Sequence, residues 1–154
     1  MIRRALEKDI NGCINLLHQV CNVHAKIRPD LFKEGSTKYD ELDLKKIFLD
    51  DNTPVFVYTE DDKVLGYAFC QIIIFNSIVN PKEIKTLYID DLCVDELYRN
   101  KHIGRSLYNH VIEYAKSMNC YNVTLNVWEG NDSAKAFYEK CGMKVQKTYM
   151  EKIL

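Results

Sequence analysis

The run Leu87-Tyr-Ile-Asp-Asp-Leu-Cys-Val94 and, after a short turn, the run Arg99-Asn-Lys-His-Ile-Gly-Arg105 decide the reading of this chain. The first is rich in β-branched and aromatic residues and predicts a strand over 86–94. The second leads into a helix predicted from Gly104 to Met118, with Leu107, Val111, Ile112, Ala115 and Met118 forming an apolar stripe. Between them Arg99, Lys101, His102 and Arg105 crowd positive groups at a helix start, where the macrodipole favours anions and disfavours cations. Breaking a local rule in this way is a mark of a functional site. Free amides at the helix start, with these side chains, would suit phosphate or pyrophosphate. From charge alone, a solvated loop is an equal reading. Neither G-x-x-x-x-G-K-[ST] nor G-x-G-x-x-G occurs, so the common nucleotide-binding loops are excluded.

Working outward, the rest of the chain alternates strands and helices. Ile2-Arg-Arg-Ala5 predicts a first strand, and Asp9 caps a helix carrying Ile10, Ile14, Leu17, Cys21 and His24 until Pro29 stops it. Residues 36–50 predict a second helix beginning at Ser36. Val55–Thr59 and Val64–Phe75 predict a hairpin with Glu60–Lys63 as its turn, and a loop follows around Asn80-Pro81. Beyond the central helix, Tyr121–Trp128 predicts a strand. Asn131 or Asp132 caps a short helix with Ala134, Phe137 and Cys141 inward, closed by Gly142, and Met143–Met150 predicts a last strand.

The 154 residues suit one domain spanning 1–154, of mixed α/β class, without repeats or linkers. The 21 Lys and Arg nearly cancel the 22 Asp and Glu, leaving a net charge of −1, which argues against nucleic-acid binding through bulk charge. Hydrophobic residues make up 47%, which argues against disorder. The six cysteines show no C-x-x-C pair and no metal-ligand spacing, so no metal site and no disulfide framework is expected. No apolar run is long enough to span a bilayer and no secretory h-region follows the N-terminus, so a cytoplasmic protein without membrane contact is expected.

The strand 87–94, the loop Arg99-x-x-x-x-Gly104 and the helix beyond resemble the acetyl-CoA-binding motif of the GNAT acetyltransferase superfamily, whose loop reads Arg/Gln-x-x-Gly-x-Gly/Ala. Downstream, Asn131-x-x-Ala134-x-x-Phe137-Tyr138-x-x-x-Gly142-Met143 resembles that family's second signature, and Ile2-Arg3-x-Ala5 with Asp9 fits its usual beginning. The resemblance covers essentially the whole chain. Two departures stand out: His102 replaces the first loop glycine, and Asn100 a frequent glycine beside the arginine. Asn tolerates left-handed backbone; His102 could donate to a pyrophosphate or weaken the affinity for the cofactor.

The resemblance implies a GNAT acyltransferase fold, with a mostly antiparallel central sheet flanked by helices, and acetyl-CoA as cosubstrate. Leu92, Cys93 and Val94 would run beside the pantetheine arm, and Arg99, Asn100, Lys101, His102, Ile103, Gly104 and Arg105 would hold the pyrophosphate. Asn131 would touch the cofactor arm, or serve only as a helix cap. Tyr138 stands where the family often has its catalytic acid, since a phenol remains protonated at neutral pH. Asp90 or Asp91 would receive the amine's proton or bind a cationic acceptor; being adjacent on a strand, they are expected on opposite faces. Glu129 ranks below them, and His24 is expected at the acceptor pocket mainly as a packing residue.

The function implied is acetyl transfer to a primary amine, from a small molecule or a peptide. The adjacent acids suggest a cationic acceptor such as a polyamine or aminoglycoside. The alternative is a non-catalytic acyl-CoA-binding module of the same fold, a sensor or partner subunit, which His102 favours. A homodimer is compatible with exposed edges of the last strands.

Overall fold

β-Branched and aromatic residues concentrate in three runs of the first two thirds of the chain, and these form the long antiparallel strands of a five-stranded sheet in the order β1-β2-β3-β4-β5. The structure, a computed structural model, describes residues 1–79 and 81–154; the expected loop at Asn80-Pro81 includes Asn80, outside the described residues. The elements are β1 (Ile2–Arg4), α1 (Ile10–Ile27), α2 (Glu41–Leu49), β2 (Val55–Glu60), β3 (Lys63–Phe75), β4 (Ile84–Val94), α3 (Ile103–Ser117), β5 (Asn122–Leu125) and α4 (Asp132–Lys140). The first three pairings are antiparallel, and β5 joins β4 in parallel.

Alternation along the strands sends side chains to two cores. Val55, Val57, Tyr67, Phe69 and Cys93 face α1 and α2, packing on Cys13, Leu16, Leu17 and Leu44. Phe56, Ala68, Cys70, Leu87 and Ile89 face α3, packing on Leu107, Val111 and Ala115. The α4 side chains Phe137, Tyr138 and Cys141 pack against this second core. Gly66 sets how closely α3 lies on the sheet. A Cβ there would fall 2.9 Å from the Cys93 carbonyl oxygen and 3.0 Å from Leu107 Cδ1, so any larger residue would push the helix start away.

The structure refines several expected boundaries. Asp9 begins α1 without capping it. Its buried carboxylate instead accepts from the Leu6 amide at 2.8 Å and from Arg3 at 2.6 Å. The second helix starts at Glu41 rather than Ser36, because Asp40 and Asp43 cap each other's amides. The β2–β3 hairpin turns on Asp61 and Asp62, both left-handed, as a two-residue turn requires. The strand at 121–128 is shorter, only Asn122–Leu125. Asn131 rather than Asp132 caps α4, and Gly142 at φ +94° closes it as expected.

One expectation fails outright: Met143–Met150 forms no strand. Residues 144–154 make no ladder within the chain and are exposed throughout. Pairing needs a neighbouring edge within reach, and the segment finds none on its own molecule. The six cysteines are free. No group of His, Cys, Asp or Glu suited to a metal occurs among the described residues, and no helix is long and apolar enough to cross a membrane.

Candidate active site

The site begins with an irregularity in β4. Phe69 of β3 pairs with Asp91 and Cys70 with Ile89, so Asp90 is an extra residue, a β-bulge. Regular alternation would put Asp90 and Asp91 on opposite faces, as the sequence suggested. The bulge resets the alternation and brings both to the α1 side, which corrects that expectation. Asp90 meets Lys38 at 2.7 and 2.8 Å and accepts from the Tyr39 hydroxyl at 3.0 Å. Asp91 accepts from the Tyr67 hydroxyl at 2.5 Å. The Tyr39 ring stacks on Phe69, which meets Tyr67 edge-on, so both carboxylates belong to one aromatic-lined wall.

The same irregularity opens the sheet. β5 pairs with β4 only from Thr86 to Ile89, so beyond the bulge the two strands part and the β5-side backbone of residues 90–94 has no ladder partner. A cleft of about 1390 Å³ fills the parting, lined by Asp90, Asp91, Leu92, Cys93 and Val94 on one side and by Asn131, Ala134 and Tyr138 of the α4 region on the other. Its size leaves room for a long cofactor and an acceptor together.

Burial pushes the Asp91 carboxyl up to about 6; the charge of Asp90 adds to this, while the Tyr67 hydrogen bond and Lys38 pull it back. The Tyr138 hydroxyl is also pushed up, by burial first and then by the charge of Asp91. The cleft therefore has on one side a carboxyl raised towards neutrality and on the other a phenol raised above its ordinary value, one suited to take a proton and the other to keep its own. Burial alone would lower the Lys38 ammonium, but Asp90 holds it above its ordinary value.

At the other end of the cleft, the 99–105 loop precedes α3. Asn100 (φ 63°) and His102 (φ 61°) are both left-handed, so they meet without glycine the backbone demand that the loop imposes. First-turn amides have no acceptor inside their own helix, so those of Ile103, Gly104 and Arg105 are open to an anion. A Cβ on Gly104 would meet only ordinary contacts, the nearest at 3.4 Å, so the protein itself does not demand glycine there. The basic side chains divide. Arg99, His102 and Arg105 line the cleft, but Arg105 also donates to the Lys140 carbonyl at 3.0 Å, tying α3 to the end of α4. Lys101 instead lies 4.9 Å over the Tyr98 ring and does not line the cleft.

Asn131 lines the cleft and also accepts from the Ala134 amide at 3.4 Å. Glu129 is exposed and outside the cleft. His24 lies in the cleft, 5.1 Å from Phe32, whose edge meets Trp128 at 5.7 Å. Sequence reasoning missed Lys38, Tyr39, Tyr67, Phe32 and Trp128. A signal existed for Tyr67 alone: a tyrosine inside an apolar strand needs a partner for its hydroxyl once buried.

Comparison with known proteins agrees with this architecture. The Acetyltransferase (GNAT) family profile matches residues 17–143. The glucosamine 6-phosphate N-acetyltransferase of Arabidopsis thaliana is 38% identical over 68 residues, 44% of each chain. Its crystal structure superposes with a TM-score of 0.73 at 27% identity, covering 99% of this chain and 97% of that one. A mutant of the BH1408 protein of Bacillus halodurans superposes with a TM-score of 0.94 at 32% identity, over 100% of this chain and 99% of that one. An aminoglycoside N-acetyltransferase crystallised with CoA shares the fold at 12% identity and a TM-score of 0.75, over 100% and 98% of the two chains. The matched part of this chain spans less than two thirds of the length of the curated relatives. With a family match over most of its length and a sheet that parts at β4, the chain belongs to the GNAT acetyltransferase family.

Proposed function

We propose that this protein is an N-acetyltransferase that uses acetyl-CoA to acetylate the primary amine of a small molecule that also bears an anionic group. The carrying observation is that the unpaired backbone of β4 beyond its bulge, Asp91 and Tyr138 all border one cleft. Acetyl-CoA supplies the activated acyl carbon.

The chain's residues fit such a cosubstrate. The free amides at the start of α3, with Arg99 and His102, suit a pyrophosphate, and Leu92–Val94 offer an open strand edge to an extended arm. Asn131 lies where it can touch that arm while capping α4. A free amine is mostly protonated near neutrality, so something must take its proton before attack. Asp91, pushed up to about 6, is matched to that task. The N–C bond forms as the C–S bond breaks, Tyr138 gives its proton to the departing sulfur, and the newly bonded nitrogen sheds its second proton to solvent to leave the neutral amide. Solvent then returns a proton to Tyr138 and takes one from Asp91.

The anionic group on the acceptor replaces the polyamine or aminoglycoside that the adjacent acids suggested. Asp90 is already neutralised by Lys38, and Lys33 also lines the cleft. The relatives named glucosamine 6-phosphate N-acetyltransferase support an acceptor of this kind. A thiol-release assay with acetyl-CoA against amino sugar phosphates, polyamines, aminoglycosides and peptides tests the reading. Turnover should be highest with an amino sugar phosphate. CoA binding by calorimetry without thiol release from any amine would instead support the non-catalytic module.

A further inference from the structure

Tyr67 and Asp91 form a pair that bridges the core and the cleft. Tyr67 is 0% exposed, belongs to the core of Cys13, Leu16, Leu17 and Val57, and does not line the cleft. Asp91 is half-buried and does line it. Along the β3–β4 ladder Tyr67 pairs with Cys93 and Phe69 with Asp91, so Tyr67 and Asp91 are diagonal neighbours on the α1 side. That diagonal is within reach of a long aromatic side chain. The Tyr67 hydroxyl donates to Asp91 Oδ2 at 2.5 Å. Its ring meets Phe69 edge-on, 4.8 Å between centroids, and Phe69 in turn stacks on Tyr39, so the donor is held from the side.

A phenylalanine would fill the same space in the core with no polar atom to satisfy, so the hydroxyl is informative. It is spent on a carboxylate at the cleft rather than on a carbonyl of the core. Burial and the charge of Asp90 favour the protonated form of that carboxylate; the Tyr67 hydroxyl, the Lys38 ammonium and the Leu92 amide favour the ionised form. Lys38 is half-exposed and already shared with Asp90, so water screens its pull. The other titratable groups around the pair are neutral: Tyr39, bonded to Asp90, Tyr138 of α4, Cys93 of β4 and Cys13 of α1, each pushed up by burial. Tyr67 is thus the side-chain donor to Asp91 that solvent does not reach.

We propose that Tyr67 is the positioning residue of this site: from inside the core it holds one oxygen of Asp91 still and sets the pH above which that carboxylate can take a proton from the incoming amine. The inference rests on the reading of Asp91 as the base and deepens it. No bond breaks at Tyr67, which keeps its own proton throughout; the acceptor's ammonium gives a proton to Asp91, and Asp91 later gives it to solvent. Without the hydroxyl, burial and the charge of Asp90 are less opposed. Asp91 then holds its proton to higher pH and is free to turn away from the cleft.

The test compares the full wild-type chain with Tyr67→Phe in two ways. A carbon-13 NMR titration follows the Asp91 carboxyl, identified by the loss of its signal in Asp91→Asn. Its midpoint should rise by about one pH unit in Tyr67→Phe. Thiol release from acetyl-CoA with an amino sugar phosphate gives the kcat/KM profile, whose rising limb should move up by the same amount. Its plateau should fall several-fold while CoA affinity by calorimetry stays within about twofold. A second variant carries 3-fluorotyrosine at position 67, a stronger donor in nearly the same space, and should move both midpoints down. It also carries the test where Tyr67→Phe does not fold. An NMR midpoint that stays put in the folded variants overturns the role of Tyr67. An NMR midpoint that moves while the kcat/KM limb does not keeps the hold of Tyr67 on Asp91 and overturns Asp91 as the base. The NMR arm needs no turnover, so the two failures are told apart.

Discussion

The sheet has two unlike sides. Toward β2, the strands are bonded at both edges, Val55, Phe56 and Val57 are at most 2% exposed, and the buried Asp9 carboxylate at the start of α1 pairs with the partly exposed Arg3. Toward β5, the ladder ends after Ile89, no residue of β5 is fully buried, and the last segment of the chain lies unpaired. Packing holds the first side closed and leaves the second open to ligands. Stability and chemistry thus occupy different parts of one small domain, as local opening free energies also tend to do.

The contrast breaks most sharply at the groups proposed to react. Replacing Tyr138 with Phe should lower kcat by about 100-fold or more while leaving CoA affinity within about twofold, because a general acid contributes on that scale. Steady-state thiol release and calorimetry check this, and thermal unfolding should barely move. On the closed side the reverse is expected. Arg3→Ala removes the charged partner of the buried Asp9 carboxylate, which keeps only the Leu6 amide, and should cost about 1–3 kcal/mol in a denaturant titration, with the activity of each folded molecule unchanged.

Asp91 belongs to both accounts. As the base, it should make kcat/KM rise about tenfold per pH unit below about 6 and level off above, and Asp91→Asn should lose that rise together with most of the rate. Its folded pKa lies above the unfolded one, so the stability it contributes is complete in acid and is lost as pH climbs from about 4 through about 6. Asp91→Asn should therefore be more stable than the wild type at pH 7.5, by about 1–2 kcal/mol, with the gain shrinking towards zero at pH 4. Paired denaturant titrations at the two pH values read this directly. The smallest effect separates the loop cations. Arg99→Ala should weaken CoA binding by several-fold at low salt and less at high salt, whereas Lys101→Ala, whose ammonium rests on Tyr98, should weaken it less.

What could be read from the sequence follows the same division. The stripes of α1 and α3, the hairpin on Asp61-Asp62, and the Asn131 cap with its closing Gly142 are local patterns, and the chain displays them plainly. The two motifs around Arg99 and Tyr138 likewise carry the family. The bulge at Asp90 was not legible, because it is a matter of register against β3, and nothing within 86–94 marks an extra residue. For the same reason Lys38 could not be foreseen. It arrives from a long connection between α1 and α2 and gains meaning only when the bulge turns Asp90 towards it. The final strand expected over 143–150 was misread, because alternation within a segment says nothing of whether an edge lies within its reach.

The extra residue in β4 has a consequence for how this gene tolerates change. An in-frame loss of the Asp90 codon would restore an even ladder between β3 and β4, so the sheet should still assemble. The parting from β5 and the facing of Asp91 would lose their cause, and the product would be a well-folded protein without its chemistry. In a codon-deletion scan read out for both abundance and acetylation, position 90 should be where the two scores diverge most.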